Sequence, residues 1–252
     1  GVDTAGRIQT VWQVKALNIP EGVTCATPDD EIDAWQAEIL PSTIRLTTLL
    51  VPVADPGNPC DIPPGQRLRT TENRTYRLAT HGLHADGRPL LKWSRTNGSV
   101  ATRVTTLDSA TQITVAEVAR DDVHRFAPGD WFEMTDDRLE FAGLPGLMRM
   151  VETADPATGL ITFQGPVPAG TFPANADGVP DPDRNLRIIR WDQKGEVRAS
   201  GGALLEDLDN PLGPGVFPVP PAGEFVELEA GIAVEVSFAP GPQKVRVDDH
   251  WV

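Results

Sequence analysis

Five carboxylates in and around one short segment are the residues of this chain best suited to chemistry. Within GDWFEMTDDRLE they are Asp130, Glu133, Asp136, Asp137 and Glu140. Two carboxyl groups that face each other across a groove can cleave a glycosidic bond, one as acid and the other as nucleophile or base. That chemistry depends on their separation in space, which the sequence does not give. Because the chain contains 36 Asp and Glu residues, some close pair is expected in any case, and the sequence assigns no catalytic residue.

A second group of candidate ligands is a pair of histidines beside an aspartate. His81, His84 and Asp86 occur in THGLHADG. Imidazoles three residues apart can meet on a helix, but this segment has the pattern of a strand that runs into a turn. Side chains three apart on a strand point to opposite faces. Polar residues of a solvent-exposed turn are the favoured interpretation.

A third group consists of hard oxygen ligands in the loop ANADGVPDPDRN. Asn175, Asp177, Asp181 and Asp183 have the density that calcium sites require, but their spacing does not match the EF-hand pattern. A solvated acidic loop is the favoured interpretation. We therefore expect no metal site and no cofactor.

Other catalytic patterns are missing from the sequence. The serine in ASGGA, Ser200, lacks the first glycine of a nucleophile elbow, and the chain contains neither a phosphate-binding loop nor a dinucleotide fingerprint. Tryptophan rings exposed on a β surface would suit stacking on sugars, but most of them lie in predicted strands among apolar neighbours, which favours core packing. The six are Trp12, Trp35, Trp93, Trp131, Trp191 and Trp251.

The two cysteines, Cys25 and Cys60, are too few for a four-thiolate zinc site. Both lie in proline-rich, irregular segments, where a disulfide would replace missing backbone contacts. The alternative is a pair of free thiols packed in a core. A disulfide between Cys25 and Cys60 is the hypothesis we carry forward, with the alternative open.

Net charge excludes one class of function. With 22 Lys and Arg against 36 Asp and Glu, the formal charge is −14, which repels nucleic acids and anionic membrane surfaces. No segment has the roughly 20 consecutive apolar residues of a membrane-spanning helix, and the N-terminal GVDTAGRIQT has no signal-peptide pattern. We expect no nucleic-acid partner, no membrane span and no export signal in this chain.

The fold class follows from alternation and turns. The chain has 23 glycines and 24 prolines spread between short strand-like segments: RIQTVWQVKAL at 7–17 alternates, and TIRLTTLLVPV at 43–53 has β-branched, strand-like composition. Asp86-Gly87 and Asn97-Gly98 predict type I′ hairpins, and 225–238 predicts another hairpin. TPDDEIDAWQAEIL predicts one short helix near residues 28–40, capped by Thr27. The sequence thus predicts a mainly β, antiparallel sandwich or barrel-like architecture.

Domain organisation follows from the spacing of these strands. Short strands between 105 and 170 predict a small β-barrel-like subdomain inserted into an outer β domain made of residues 1–104 and 180–252. The polar loop at 171–185 is predicted to be a boundary.

Several stretches together resemble a known family. They are VDTAGRIQTVWQVKAL, PCDIPPG, ENRTYRLATH, KWSRTNGSVAT, FAPGDWFEMTDD, AGLPGLM, LRIIRWDQ, GIAVEVSF and DDHWV. In this order they are similar to a family of uncharacterised bacterial proteins that are commonly encoded with phage-tail-like extracellular contractile injection systems. The family usually continues beyond both ends of the segment seen here, so we expect this chain to be part of a longer protein.

The resemblance implies a structural or adhesive, non-catalytic component of a tail-like particle, at the level of baseplate, spike or fibre. It implies self-association, with a trimer natural for a spike, contacts with other tail-like proteins, and a bacterial, particle-associated or extracellular location. The alternative is a carbohydrate-binding or polysaccharide-degrading β protein, whose partner would be a surface glycan.

Overall fold

The computed structural model describes residues 17, 19–39, 42–51, 75–118, 121, 123–229, 231–241 and 243–252. The chain divides into two compact units, residues 1–41 and residues 42–252. The predicted strand at 7–17 lies outside the described residues except for its last residue.

The first unit contains the predicted helix in a shorter form. A 3₁₀ turn covers Asp29–Glu31, and helix α1 covers Asp33–Ile39. Ile32 between them has an extended backbone, with φ −101° and ψ 95°, so the α-helix begins after it rather than at Pro28. The predicted cap is wrong: the Thr27 hydroxyl oxygen accepts a hydrogen bond from Thr24 N at 3.0 Å, and no side chain caps the 3₁₀ turn.

Two antiparallel sheets form a sandwich in the second unit. The five-stranded sheet has the order β1 (Ile44–Leu50), β14 (Ile232–Phe238), β13 (Phe225–Glu229), β10 (Glu196–Ala199) and β11 (Leu204–Asp207). The four-stranded sheet has the order β12 (Phe217–Pro218), β3 (Pro89–Ser94), β2 (Arg77–Leu83) and β15 (His250–Trp251). Side chains of both sheets pack into one apolar core, including Val226 and Val234 from the first and Leu91, Trp93 and Phe217 from the second.

Six further strands close into a ring. Its order is β4 (Ala101–Ser109), β5 (Gln112–Val115), β8 (Leu160–Phe163), β7 (Leu147–Ala154), β6 (Trp131–Thr135) and β9 (Arg187–Trp191), and β9 pairs with β4 to close it. Buried aliphatic and aromatic residues fill the core of the ring, where Phe132 and Phe163 meet edge to face with centroids 5.4 Å apart. The predicted mainly β, antiparallel fold class is confirmed.

A third apolar cluster lies between β2 and the ring. It contains Ala79 of β2, together with Trp131, Met148, Met150 and Trp191 of the ring strands and Val216. The described ring strands lie between residues 101 and 191. The division into an outer domain of residues 1–104 and 180–252, an inserted subdomain of residues 105–170 and a boundary at 171–185 stays a prediction.

The two predicted Asx-Gly turns have different outcomes. Asn97 and Gly98 both have positive φ, 56° and 60°, as a type I′ turn requires. The predicted hairpin is nevertheless wrong, because β3 pairs with β2 and β12 while β4 pairs with β5 and β9. The turn instead carries the chain from the four-stranded sheet into the ring.

Asp86-Gly87 does connect a hairpin, between β2 and β3. Its loop is longer than predicted: His84 O accepts from Gly87 N at 2.9 Å, and His84 N donates to Arg88 O at 2.8 Å. Only Gly87 has positive φ, 87°, which is typical of a three-residue loop that ends in a left-handed glycine.

A second α-helix was not predicted. Helix α2, Asp137–Phe141, connects β6 to β7, and Asp136 Oδ1 caps it by accepting from Leu139 N at 2.9 Å. Helix α2 has 5 residues, little more than one turn. That is too short for a periodic apolar pattern to be visible in the sequence.

Candidate functional site

A buried ion pair between two sheets is the central feature of the site. Lys92 lies on β3, whose side chains are buried on both faces, and Glu133 lies on β6 of the ring. Lys92 Nζ is 2.5 Å from Glu133 Oε2, and the side chains are 0% and 3% exposed. Charged groups are rarely buried without a partner. Because each of these two buried charges needs the other, the pair fixes the four-stranded sheet against the ring.

Glu133 receives two further hydrogen bonds. Trp191 Nε1 donates to Oε2 at 3.0 Å, and Gly146 N donates to Oε1 at 3.1 Å. His81 Nδ1 lies 3.4 Å from Oε1. Gly146 makes this approach possible, because a Cβ atom there would lie 2.5 Å from Glu133 Cγ.

Lys92 also contacts a second carboxylate. Its Nζ lies 2.9 Å from Asp248 Oδ1, and 4.6 Å from the centroid of the Trp191 ring. The Asp248 side chain is 43% exposed, so it is the solvent-exposed member of an otherwise buried group. We call the set Lys92, Glu133, His81, Trp191 and Asp248 the Lys92 cluster.

Thr80 of β2 holds Asp248 in position. Thr80 N donates to Asp249 O at 2.9 Å, Asp248 N donates to Thr80 O at 2.9 Å, and the Thr80 hydroxyl donates to Arg246 O. Asp248 has φ 64°, a left-handed conformation that is uncommon for residues other than glycine. The backbone is therefore fixed in an unfavourable conformation that presents the carboxylate to Lys92.

Burial raises the pKa of Glu133, but the Lys92 charge, helped by His81, more than offsets it and holds that pKa well below its usual range. Burial lowers the pKa of Arg77, while the charges of Asp248 and Glu133 act in the opposite direction. Arg77 therefore adds a second positive charge beside the cluster.

The other four predicted carboxylates each pair with a cation. Asp130 lies 3.3 Å from Lys194 Nζ, and Asp136 pairs with Arg184. Asp137 and Glu140 share Arg187, at 2.7 and 2.6 Å. These pairs connect the ring strands and helix α2 to neighbouring segments, which is the arrangement expected of structural ion pairs.

The residues with metal-ligand side chains are separated. His81 faces Glu133, whereas His84 Nδ1 pairs with Asp86 Oδ1 at 2.8 Å on the surface. Within the described part of the chain, no three His, Cys, Asp or Glu residues are placed to hold a metal ion.

The acidic loop uses its carboxyl and amide oxygens locally. Asn175 Oδ1 accepts from Asp177 N at 2.9 Å and from Val179 N at 3.0 Å. Asp181 Oδ1 accepts from Asp183 N at 3.0 Å. These contacts are turns of the loop itself.

Most described tryptophans pack in the core, as predicted. Trp93, Trp131 and Trp191 are buried, and Trp131 Nε1 donates to Leu208 O at 2.8 Å. Trp35 of α1 is 38% exposed, Trp251 is half-buried, and Trp12 lies outside the described residues. Trp251 lines an apolar cleft of about 280 Å³ together with Tyr76, Leu46 and Val234.

A second polar group joins the sheets near this cleft. Arg95 Nε and Nη2 bind the two carboxylate oxygens of Glu229 at 2.6 Å each, and Arg95 N donates to Asp192 Oδ1 at 2.8 Å. The Tyr76 hydroxyl donates to Glu229 Oε1 at 2.6 Å. Arg95 thus links β13 to the segment that follows β9.

Sequence reasoning missed Lys92, Asp248 and the role of Glu133. A usable signal was present: Lys92 in PLLKWS and Glu133 in WFEMT are single charges inside short apolar runs. Such runs are typical of strands that are buried on both faces, where a charge needs a buried partner. Cys25 is exposed, and Cys60 lies outside the described residues, so their pairing stays a prediction.

Comparison with known proteins gives a family and no activity. No helix in the described residues has the length and apolar character needed to span a bilayer. Neither a curated protein nor a solved structure matches the chain. A family model matches residues 23–252, and the chain therefore belongs to DUF6519, a family of unknown function.

Proposed function

We propose that this protein is a structural component of a phage-tail-like particle, at the level of baseplate, spike or fibre. It acts by self-association and by contact with other tail-like proteins rather than by catalysis, in a bacterial, particle-associated or extracellular setting. The assignment to such a particle rests on the motifs that resemble injection-system proteins.

One observation supports a structural role. The ionisable side chains that sequence suggested for catalysis join separate parts of the fold: Lys92–Glu133 connects the four-stranded sheet to the ring, and Arg187 connects β9 to α2. A hydrolase needs two carboxylates that converge on an open groove. Here each of the five candidate carboxylates lies against a cation, which is typical of structural ion pairs and supports a non-catalytic role.

Native mass tests this proposal. Light scattering of the purified full chain is expected to give a trimer or a larger ring that persists on dilution. Co-purification with sheath, tube or baseplate proteins from the same bacterium should follow. A monomer that also fails to co-purify with any of these proteins contradicts the proposal.

A carbohydrate-binding or polysaccharide-degrading function is the second candidate, and the cleft lined by Trp251 and Tyr76 is the observation in its favour. A glycan array is its test. Specific binding that Trp251→Ala abolishes, while Trp35→Ala leaves it intact, would favour this candidate over the structural one.

A further inference from the structure

We propose that Lys92 and Asp248 become joined by an intramolecular isopeptide bond, with Glu133 as the group that carries a proton from Lys92 to the leaving water. The inference rests on the geometry of the Lys92 cluster and does not depend on the proposed function.

The two reacting groups are already in contact. Lys92 Nζ lies 2.9 Å from Asp248 Oδ1 and 2.5 Å from Glu133 Oε2. The amine is completely buried, and the Trp191 ring lies 4.6 Å from it. Two groups held at this distance react as if at very high effective concentration, and burial of the Lys92 amine favours a product in which it carries no charge.

Asp248 is placed as a reacting group rather than as a surface charge. Its backbone has φ 64°, and three hydrogen bonds between Thr80 and residues 246, 248 and 249 hold that turn. Strained backbone that the surroundings enforce is common at sites of chemistry.

The reaction balances without a cofactor. The Lys92 ammonium gives one proton to Glu133 Oε2, and the free amine attacks Asp248 Cγ. The tetrahedral intermediate loses one Asp248 oxygen as water, which takes the proton held by Glu133 and a second proton from Nζ. The third proton stays on the amide nitrogen, Glu133 returns to its carboxylate form, and the paired charges of Lys92 and Asp248 disappear.

Two neighbouring groups support the intermediate. The Arg77 charge interacts with Asp248 and can stabilise the oxyanion that forms on its carboxyl group. Trp191 Nε1, which donates to Glu133 Oε2 at 3.0 Å, positions the transferring carboxylate. The bond would join β3 covalently to the turn that precedes β15.

Intact mass measurement of the full chain decides the question. The expected mass is lower than the sequence mass by one water, about 18 Da. Digestion with trypsin should give a branched peptide that contains Lys92, without cleavage after it, together with Asp248. A folded wild-type chain that keeps its full sequence mass after prolonged incubation overturns the proposal.

Variants distinguish the isopeptide bond from other reactions that release water. Asp248→Ala, at a half-exposed position, should restore the full mass, while Asp249→Ala in the same turn should keep the loss. Asp248→Asn should lose ammonia, about 17 Da, because the leaving group is then an amide nitrogen. Glu133→Gln should leave Lys92 and Asp248 unlinked.

A cyclic imide at an Asp-Gly step, such as Asp86-Gly87, also loses one water. Lys92→Arg distinguishes the two: it removes the loss if the isopeptide bond is its source. Persistence of the loss in Lys92→Arg, or a fragment spectrum that places it at Asp86, overturns the proposal. Since the branched tryptic peptide identifies the bond in the wild-type chain itself, a variant that fails to fold does not remove the test.

Discussion

Lys92 Nζ and Glu133 Oε2 lie 2.5 Å apart, on strands of two different sheets and with almost no exposure to water. Removing one partner would leave the other as an uncompensated buried charge, which is far more costly than losing a surface pair. The contact between the four-stranded sheet and the ring therefore depends on both residues.

A double-mutant cycle tests that dependence in the Asp248→Ala chain, where the ammonium stays unlinked. Lys92→Met and Glu133→Leu should each lower the free energy of unfolding by about 3–5 kcal/mol. The double variant should lose clearly less than the sum, because it leaves no buried charge. Urea unfolding provides the measurement.

The matched control for that cycle is Arg198→Met, which breaks the surface pair with Glu196, whose two side chains are 45% and 53% exposed. It should cost about 1 kcal/mol or less. Strict additivity of the Lys92 and Glu133 effects would show that the two side chains are not coupled.

Acid should weaken the same contact. The folded-state pKa of Glu133 lies well below 4.5, its ordinary value in the unfolded chain, so the unfolded state binds the proton more readily. The contribution of Glu133 is fully present above about pH 4.5 and is lost as pH falls below it. Urea unfolding gives the free energies of unfolding of Asp248→Ala and Asp248→Ala/Glu133→Gln. The difference between them should shrink as the pH falls from about 5 to about 3. A constant difference would contradict this assignment.

Gly98→Val should destabilise the protein by more than about 1 kcal/mol, because residue 98 has φ 60°, which β-branched residues rarely adopt. A Cβ atom there would lie at an ordinary van der Waals distance, 3.6 Å from Arg77 Cδ, so the cost comes from the backbone conformation rather than from crowding. Thermal unfolding measures this loss of stability. Gly201→Val is the control, since Gly201 is exposed and has ordinary backbone geometry. Equal losses at both positions would count against the backbone explanation.

The cysteine hypothesis has a redox test. Cys60→Ser should lower the melting temperature only without reductant, since a disulfide with Cys25 stabilises by restricting the unfolded chain. Cys25→Ser should behave in the same way. An equal loss in the presence of reductant would indicate packing of the thiol instead.

Local patterns predicted the strands well and their partners poorly. Alternation placed β13 and β14 correctly, because one buried face imposes a period of two, while β-branched composition placed β1 and a turn signal placed β7 and β8. Asn97-Gly98 predicted the backbone conformation but not the strand pairing. Positive φ at two residues makes the chain turn, but it does not determine which strand the next segment pairs with. Pairing depends on contacts that are distant in sequence.

The candidate site, like the strand pairing, could be predicted from the sequence only in part. Glu133 was one of five candidate carboxylates, yet nothing in its neighbourhood in sequence identifies Lys92, 41 residues away, or Asp248 as members of its cluster. The single charge in each apolar run indicates that a partner exists. Only the packing of the four-stranded sheet on the ring identifies it.

Sheet order also has a consequence for the folding pathway. β1 pairs with β14 in full register from Ile44 opposite Phe238 to Leu50 opposite Ile232, whereas the ring strands lie between residues 101 and 191. Closing so long a loop is entropically costly, so contacts of low sequence separation form first. We expect the ring to form early and the β1–β14 ladder to complete the structure, with substitutions in that ladder accelerating unfolding more than they slow folding.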